Sequence, residues 1–190
     1  MKRLSNIMIL AMFLSTLFYS LSYPYIYAEL LKVVPKGYIS IEQILCCIGT
    51  IICCKIWNKY SDRLFKYYGV MLWIEMIADI VLFLDVQIRH DLCDYFLINI
   101  IIYSIITRNL VCGGNKMRAR LNPNEKDRER FDNNNTVANS IGTVMGAGIA
   151  IILSLKLNSL FILTLIGNII DNIFYLYIYK KLNHIEVETA

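Results

Sequence analysis

The sequence predicts an all-α membrane protein of six transmembrane helices with both termini in the cytoplasm. Three observations predict it. Apolar runs of about 20 residues, enough to cross a bilayer, recur six times along the 190 residues and leave no room for a separate soluble domain. Charged residues make up only 18% of the chain and cluster between the runs, whereas a soluble domain carries roughly 25%. The lysines and arginines are also unevenly placed. With both ends inside, the N-terminus, the 2–3 connection, the 4–5 connection and the C-terminus hold fourteen of the nineteen lysines and arginines. Only Lys32, Lys36, Arg89 and Lys156 fall outside, and Arg108 lies within a helix. Short positive segments stay cytoplasmic because moving them across a membrane is unfavourable.

Helix 1 spans about residues 7–28, after Met-Lys-Arg. A signal peptide begins the same way, but this run is long and no small-x-small cleavage site closes it, so we read it as retained. Tyr19, Tyr23 and Tyr27 recur every four residues and share a face. An interfacial aromatic belt suits Tyr25 and Tyr27; Tyr19 and Tyr23 are candidates for a solute pathway. Pro24 is expected to bend the outer end. A short outside loop, 29–38, leads to helix 2 at about 39–57, opening on Ser40 and Glu42. The basic hairpin CKIWNKYSDRLFKYYG, residues 54–69, comes next and fixes the topology.

Helix 3, about 67–86, carries Glu75 and Asp79. An outside turn, 87–94, holds Arg89, His90 and Cys93. Helix 4, about 94–114, carries Asn99, Tyr103 and Arg108. The charged segment 115–133 is the largest expected loop, with room for an amphipathic surface helix. Helix 5, about 134–156, places Gly142, Gly146 and Gly148 on related faces, and small residues at this spacing let backbones approach in lipid. Helix 6, about 159–180, contains Asn168, Asp171 and Asn172, and a polar tail ends the chain.

A charge at membrane depth costs about 2.5–3.5 kcal/mol on insertion scales, so each needs a partner or water. With a rise of about 1.5 Å per residue, Glu75 lies roughly 12 Å and Arg108 roughly 9 Å from the cytoplasmic ends of their helices. An Arg108–Glu75 pair is therefore expected, with Arg108–Asp62 as the competitor. Asp171 lies level with Glu75 and reads as a buried pair or assembly contact, or as a proton-coupling acid. Asn99 and Tyr103, one turn apart, are pathway candidates.

The six cysteines show no Cys-x-x-Cys spacing and suggest no zinc or disulfide framework; they read as small apolar helix residues. Gly113-Gly114-Asn115-Lys116 lacks the spacing of a nucleotide-binding loop. No cofactor or metal is expected. The net charge of +4 reads as cytoplasmic segments facing an anionic leaflet rather than nucleic acid.

The hairpin carries a family signal. Asn58-Lys59-Tyr60-Ser61-Asp62-Arg63-Leu64-Phe65-Lys66-Tyr67 resembles the loop between helices 2 and 3 of the major facilitator superfamily, G-x-x-x-D-R-x-G-R-R/K. Asp62, Arg63 and Lys66 match; Asn58 and Phe65 replace glycines, and Tyr67 replaces the last basic residue. Arg108 before Gly113-Gly114 is similar to the family's helix 4 pattern, and Pro123, Glu125 and Arg128 to its P-x-E-x-x-R stretch. Gly142-x-x-x-Gly146-x-Gly148 is similar to its helix 5 glycine motif, without the proline.

The resemblance covers about residues 50–150 and implies the N-terminal six-helix half of such a transporter, built as two inverted three-helix repeats. It implies that Asp62, Arg63 and Lys66 form a gating loop. It also places helices 3 and 6 on the periphery, supporting helices 1, 2, 4 and 5 that face the pathway, with the cavity between helices 1 and 4 of each copy.

The function expected is secondary transport of a small solute across the cytoplasmic membrane by alternating access, with a second copy or another six-helix half rebuilding the twelve-helix shape. A non-transporting accessory or immunity partner, or a transporter fragment, is the alternative. A six-helix substrate-capture component of a larger importer is disfavoured by the family-like loops. A membrane cysteine peptidase built on His90 and Cys93 lacks an orienting third group, and no enzyme activity is expected.

Overall fold

Two of the three prolines, Pro35 and Pro123, stand at breaks between helices. Proline lacks the N–H that would continue a preceding helix and is tolerated where a new one starts. The computed structural model describes residues 1–89, 92–153 and 156–188. Among them are six helices and no strand. They are α1 (Lys2–Val33), α2 (Lys36–Phe65), α3 (Tyr68–Arg89), α4 (Leu92–Leu121), α5 (Glu125–Leu153) and α6 (Leu157–Glu188). Within α4, Tyr103–Thr107 is a π-helical segment.

Among the described residues, five helices are long and apolar enough to cross a membrane: all except α3. That helix has 22 residues, enough length, but carries Glu75, Asp79 and Asp85. Its surface resolves the conflict. Glu75 and Asp79 are half-buried beside buried Leu72, Met76 and Leu82, while Trp73, Ile74, Ile77, Val81 and Leu84 are exposed. The helix is apolar outside and acidic inside, the reverse of a helix meant for water.

The helices run well past the expected spans. The basic hairpin is not a loop: α2 continues through Lys55, Lys59, Asp62 and Arg63 to Phe65, leaving a two-residue turn, Lys66-Tyr67. Non-helical angles at Tyr60 (φ −126°, ψ 24°) kink α2 before its last turns. The 115–133 loop shrinks to Asn122-Pro123-Asn124, its charges lying on the ends of α4 and α5. Helix 2 starts at Lys36 behind Pro35 rather than at a cap near Ser40. The outside loop 29–38 reduces to Val34 and Pro35. Pro24 sits inside an uninterrupted α1.

The chain forms two compact units. One comprises Pro24–Gly113, hence the end of α1 with α2, α3 and most of α4; the other comprises Met1–Tyr23 and Gly114–Ala190, hence the larger part of α1 with the end of α4, α5 and α6. In the first unit, Gly49 of α2 backs onto the Ser104 carbonyl, and Trp57 meets Asn109 and Gly113. The residue numbers rise together, so α2 and α4 are parallel. Tyr68 and Glu75 of α3 meet Leu110 and Thr107, so α3 is antiparallel to α4.

In the second unit, Gly142 and Gly146 of α5 press on α1 at Phe13, Leu17 and Ser20, a parallel pairing. Gly167 and Thr164 of α6 meet Phe18 and Ser22, an antiparallel one. Within each unit the helices thus run in the directions that successive membrane crossings require.

Candidate functional site

The site is built where α3 and α4 meet. The π-helical segment reads Tyr103-Ser104-Ile105-Ile106-Thr107. Single π turns inside α-helices often lie at functional sites. Their i→i+5 register rotates the next turn of the helix, and here it lays Arg108 over the ring of Tyr103, with Cζ 4.7 Å from the centroid. One residue earlier, the Thr107 hydroxyl donates to Glu75 Oε1 at 2.9 Å. The Nε of Arg108 is buried without a hydrogen-bond partner.

The seam behind this site is tight. Gly49 has no side chain because Ser104's carbonyl occupies that space. Trp57 Nε1 donates to Asn109 Oδ1 at 3.1 Å, and Tyr68's hydroxyl donates to the Leu110 carbonyl at 3.2 Å. The rings of Phe65 and Tyr68 stack, 5.8 Å between centroids, and both are almost fully buried. They flank the Lys66-Tyr67 turn and pin it beneath α4. Gly113 leaves room for the rings of Tyr68 and Trp57.

The other residues expected at a site are spread over both units. Asp62, Arg63 and Lys66 lie at the end of α2, Asp62 and Arg63 exposed on its last turns and Lys66 exposed in the turn. Tyr19 and Tyr23 stack, with centroids 4.5 Å apart, Tyr19 being 52% exposed. Asn99 is half-buried on α4, one turn before Tyr103. Asp171 belongs to the other unit, half-buried next to buried Asn172. Gly142 and Gly146 face α1, whereas Gly148 has nothing within 4 Å of where a side chain would start. Arg128 reaches the Pro123 carbonyl at 3.4 Å within the P-x-E-x-x-R stretch. His90, weighed as a peptidase base, lies outside the described residues.

One feature is absent from the expectations drawn from sequence. Thr136, Ser140, Thr143 and Ala147 form one stripe of α5, spaced i, i+4, i+7, i+11. Each of the three hydroxyls donates to the carbonyl four residues back, at 2.8 to 2.9 Å. The adjoining face of the helix, with Asn135, Gly142, Gly146 and Ala150, is buried. The signal was legible as a second helical periodicity beside the glycines.

Comparison with protein-family models, with curated proteins and with solved structures finds no match for this chain.

Proposed function

We propose that this chain is an integral membrane protein of the cytoplasmic membrane, with both termini inside, that works as a half-transporter of the major facilitator type. Two copies, related by an axis along the membrane normal, enclose the path of a small solute. The observation that carries this reading is the polar exposed stripe of α5. The outward face of α2, with Ile41, Ile44, Ile48, Ile51 and Ile52, is apolar, as lipid requires. On α5 an exposed stripe of Thr136, Ser140, Thr143 and Ala147 runs beside the apolar outward face with Val137, Ile141, Val144 and Ile151. Small hydroxyl residues in a spanning helix suit a helix partner or a wetted cavity better than lipid tails. Six helices supply one wall of such a cavity, so a second copy is needed.

Glu75, Thr107, Arg108 and Tyr103 supply the charged and hydrogen-bonding groups that alternating access can rearrange. The test is mass measurement in lipid nanodiscs at several dilutions. A two-copy particle supports the proposal, and a strict monomer overturns it. The same stripe favours one second reading, an accessory subunit seated against a different membrane protein, which a strict monomer would leave standing.

A further inference from the structure

We infer that Cys54 and Cys112 are a redox pair, closing a reversible disulfide between α2 and α4 when the protein meets a peroxide. Their Sγ atoms lie 3.9 Å apart on two different helices. The surrounding seam holds them there: Trp57 bonds to Asn109, Gly113 packs under Trp57 and Tyr68, and Gly49 packs on Ser104. Closing the pair brings the sulfurs from 3.9 Å to a bond of about 2.05 Å. The pair is reachable, Cys54 being exposed and Cys112 half-buried, whereas Cys46 and Cys53 are buried. The Sγ of Cys53 points instead at the Ile105 carbonyl, 4.0 Å away.

The proposed chemistry is balanced. The thiolate of Cys54, the more exposed sulfur, attacks hydrogen peroxide; an S–O bond forms, the O–O bond breaks, and hydroxide leaves to take up a proton as water. The Cys112 sulfur then displaces the oxygen of this sulfenic acid; the S–S bond forms, the S–O bond breaks, and a second water leaves. Two thiols lose two electrons and one peroxide becomes two waters. A thiol reductant reopens the bond by exchange. Cys54 directly precedes the basic stretch that the charge pattern assigns to the cytoplasmic end, where thiols rest reduced. The bond would therefore be an occasional clamp on the α2–α4 seam, not a structural staple. This inference does not depend on transport.

The full chain in nanodiscs is treated with hydrogen peroxide, denatured, blocked with N-ethylmaleimide and mapped after trypsin. We expect four blocked thiols rather than six. One dithiothreitol-sensitive species should join peptides 37–55 and 109–116 within a single chain. Cys54→Ser and Cys112→Ser should each abolish it; Cys47→Ser and Cys53→Ser should not. Six blocked thiols, a sulfenic or sulfinic acid without the cross-link, persistence in Cys54→Ser, or a link between two chains each overturns the inference.

Discussion

Arg108 lies over the ring of Tyr103, five residues earlier on the same helix, at 4.7 Å. In a regular α-helix, residues five apart point to different sides, and neighbours are three or four apart. The contact exists because the π-helical segment fills the interval. A cation over an aromatic face contributes about 0.5–2 kcal/mol. A double-mutant cycle with Tyr103→Leu and Arg108→Ala, monitored by unfolding in mixed micelles, should give a coupling of about 1 kcal/mol. Additive effects would mean that the π register is not formed.

The Thr107–Glu75 hydrogen bond ties α4 to α3. Thr107→Val keeps the shape and removes the donor. It should lower unfolding free energy by about 0.5–2 kcal/mol, the range for side-chain hydrogen bonds between membrane helices and to charged groups. In a Glu75→Ala background the same substitution should cost nothing, and a full cost there would show that Thr107 serves another partner.

Gly146 and Gly148 are two residues apart and differ in what surrounds them. A side chain at Gly146 would run into α1 at Leu17 and Ser20, while Gly148 has open space. Gly146→Val should destabilise by about 1–3 kcal/mol, the usual cost of overpacking. Gly148→Val should stay within about 0.5 kcal/mol. Equal losses on a denaturant titration would contradict the α1–α5 packing.

The hydroxyls of Thr136 and Ser140 bond back onto α5 itself. Thr136→Leu with Ser140→Leu should therefore leave helix content and unfolding midpoint nearly unchanged. If the stripe seats a second copy, the same double variant should convert the two-copy particle to single chains in nanodiscs. A retained two-copy mass would move the contact to another face.

Hydropathy located all six helices but not their ends, and the reason is physical. It reports how far the chain lies in an apolar medium, whereas a helix continues wherever no residue stops it. The segment Lys55 to Phe65 contains no glycine or proline, and its residues have ordinary helix propensity, so α2 outlasts its apolar run. Pro35 and Pro123 marked two of the breaks, and both were visible in the sequence. The π segment carries no compositional mark, and the contact of Arg108 with Tyr103 that it brings about was not suggested by helix depth. Cys54 and Cys112 stand 58 positions apart, so only the α2–α4 register could bring them together. The α5 stripe was legible in principle but was overshadowed by the glycines beside it.

The grouping of helices has a consequence for how the chain is made. Pro24–Gly113 is continuous in sequence, so α2, α3 and α4 can pair as soon as they leave the ribosome. The first helix has no such fortune. The partners of its Lys2–Tyr23 stretch, α5 and α6, follow only after about 90 intervening residues. At about 5–20 residues per second, the first helix waits roughly 5–20 seconds with Ser20, Ser22 and the bed for Gly142 and Gly146 uncovered. During that interval it is the segment most in need of a chaperone at the insertion site, and the one through which faulty copies would be recognised and removed.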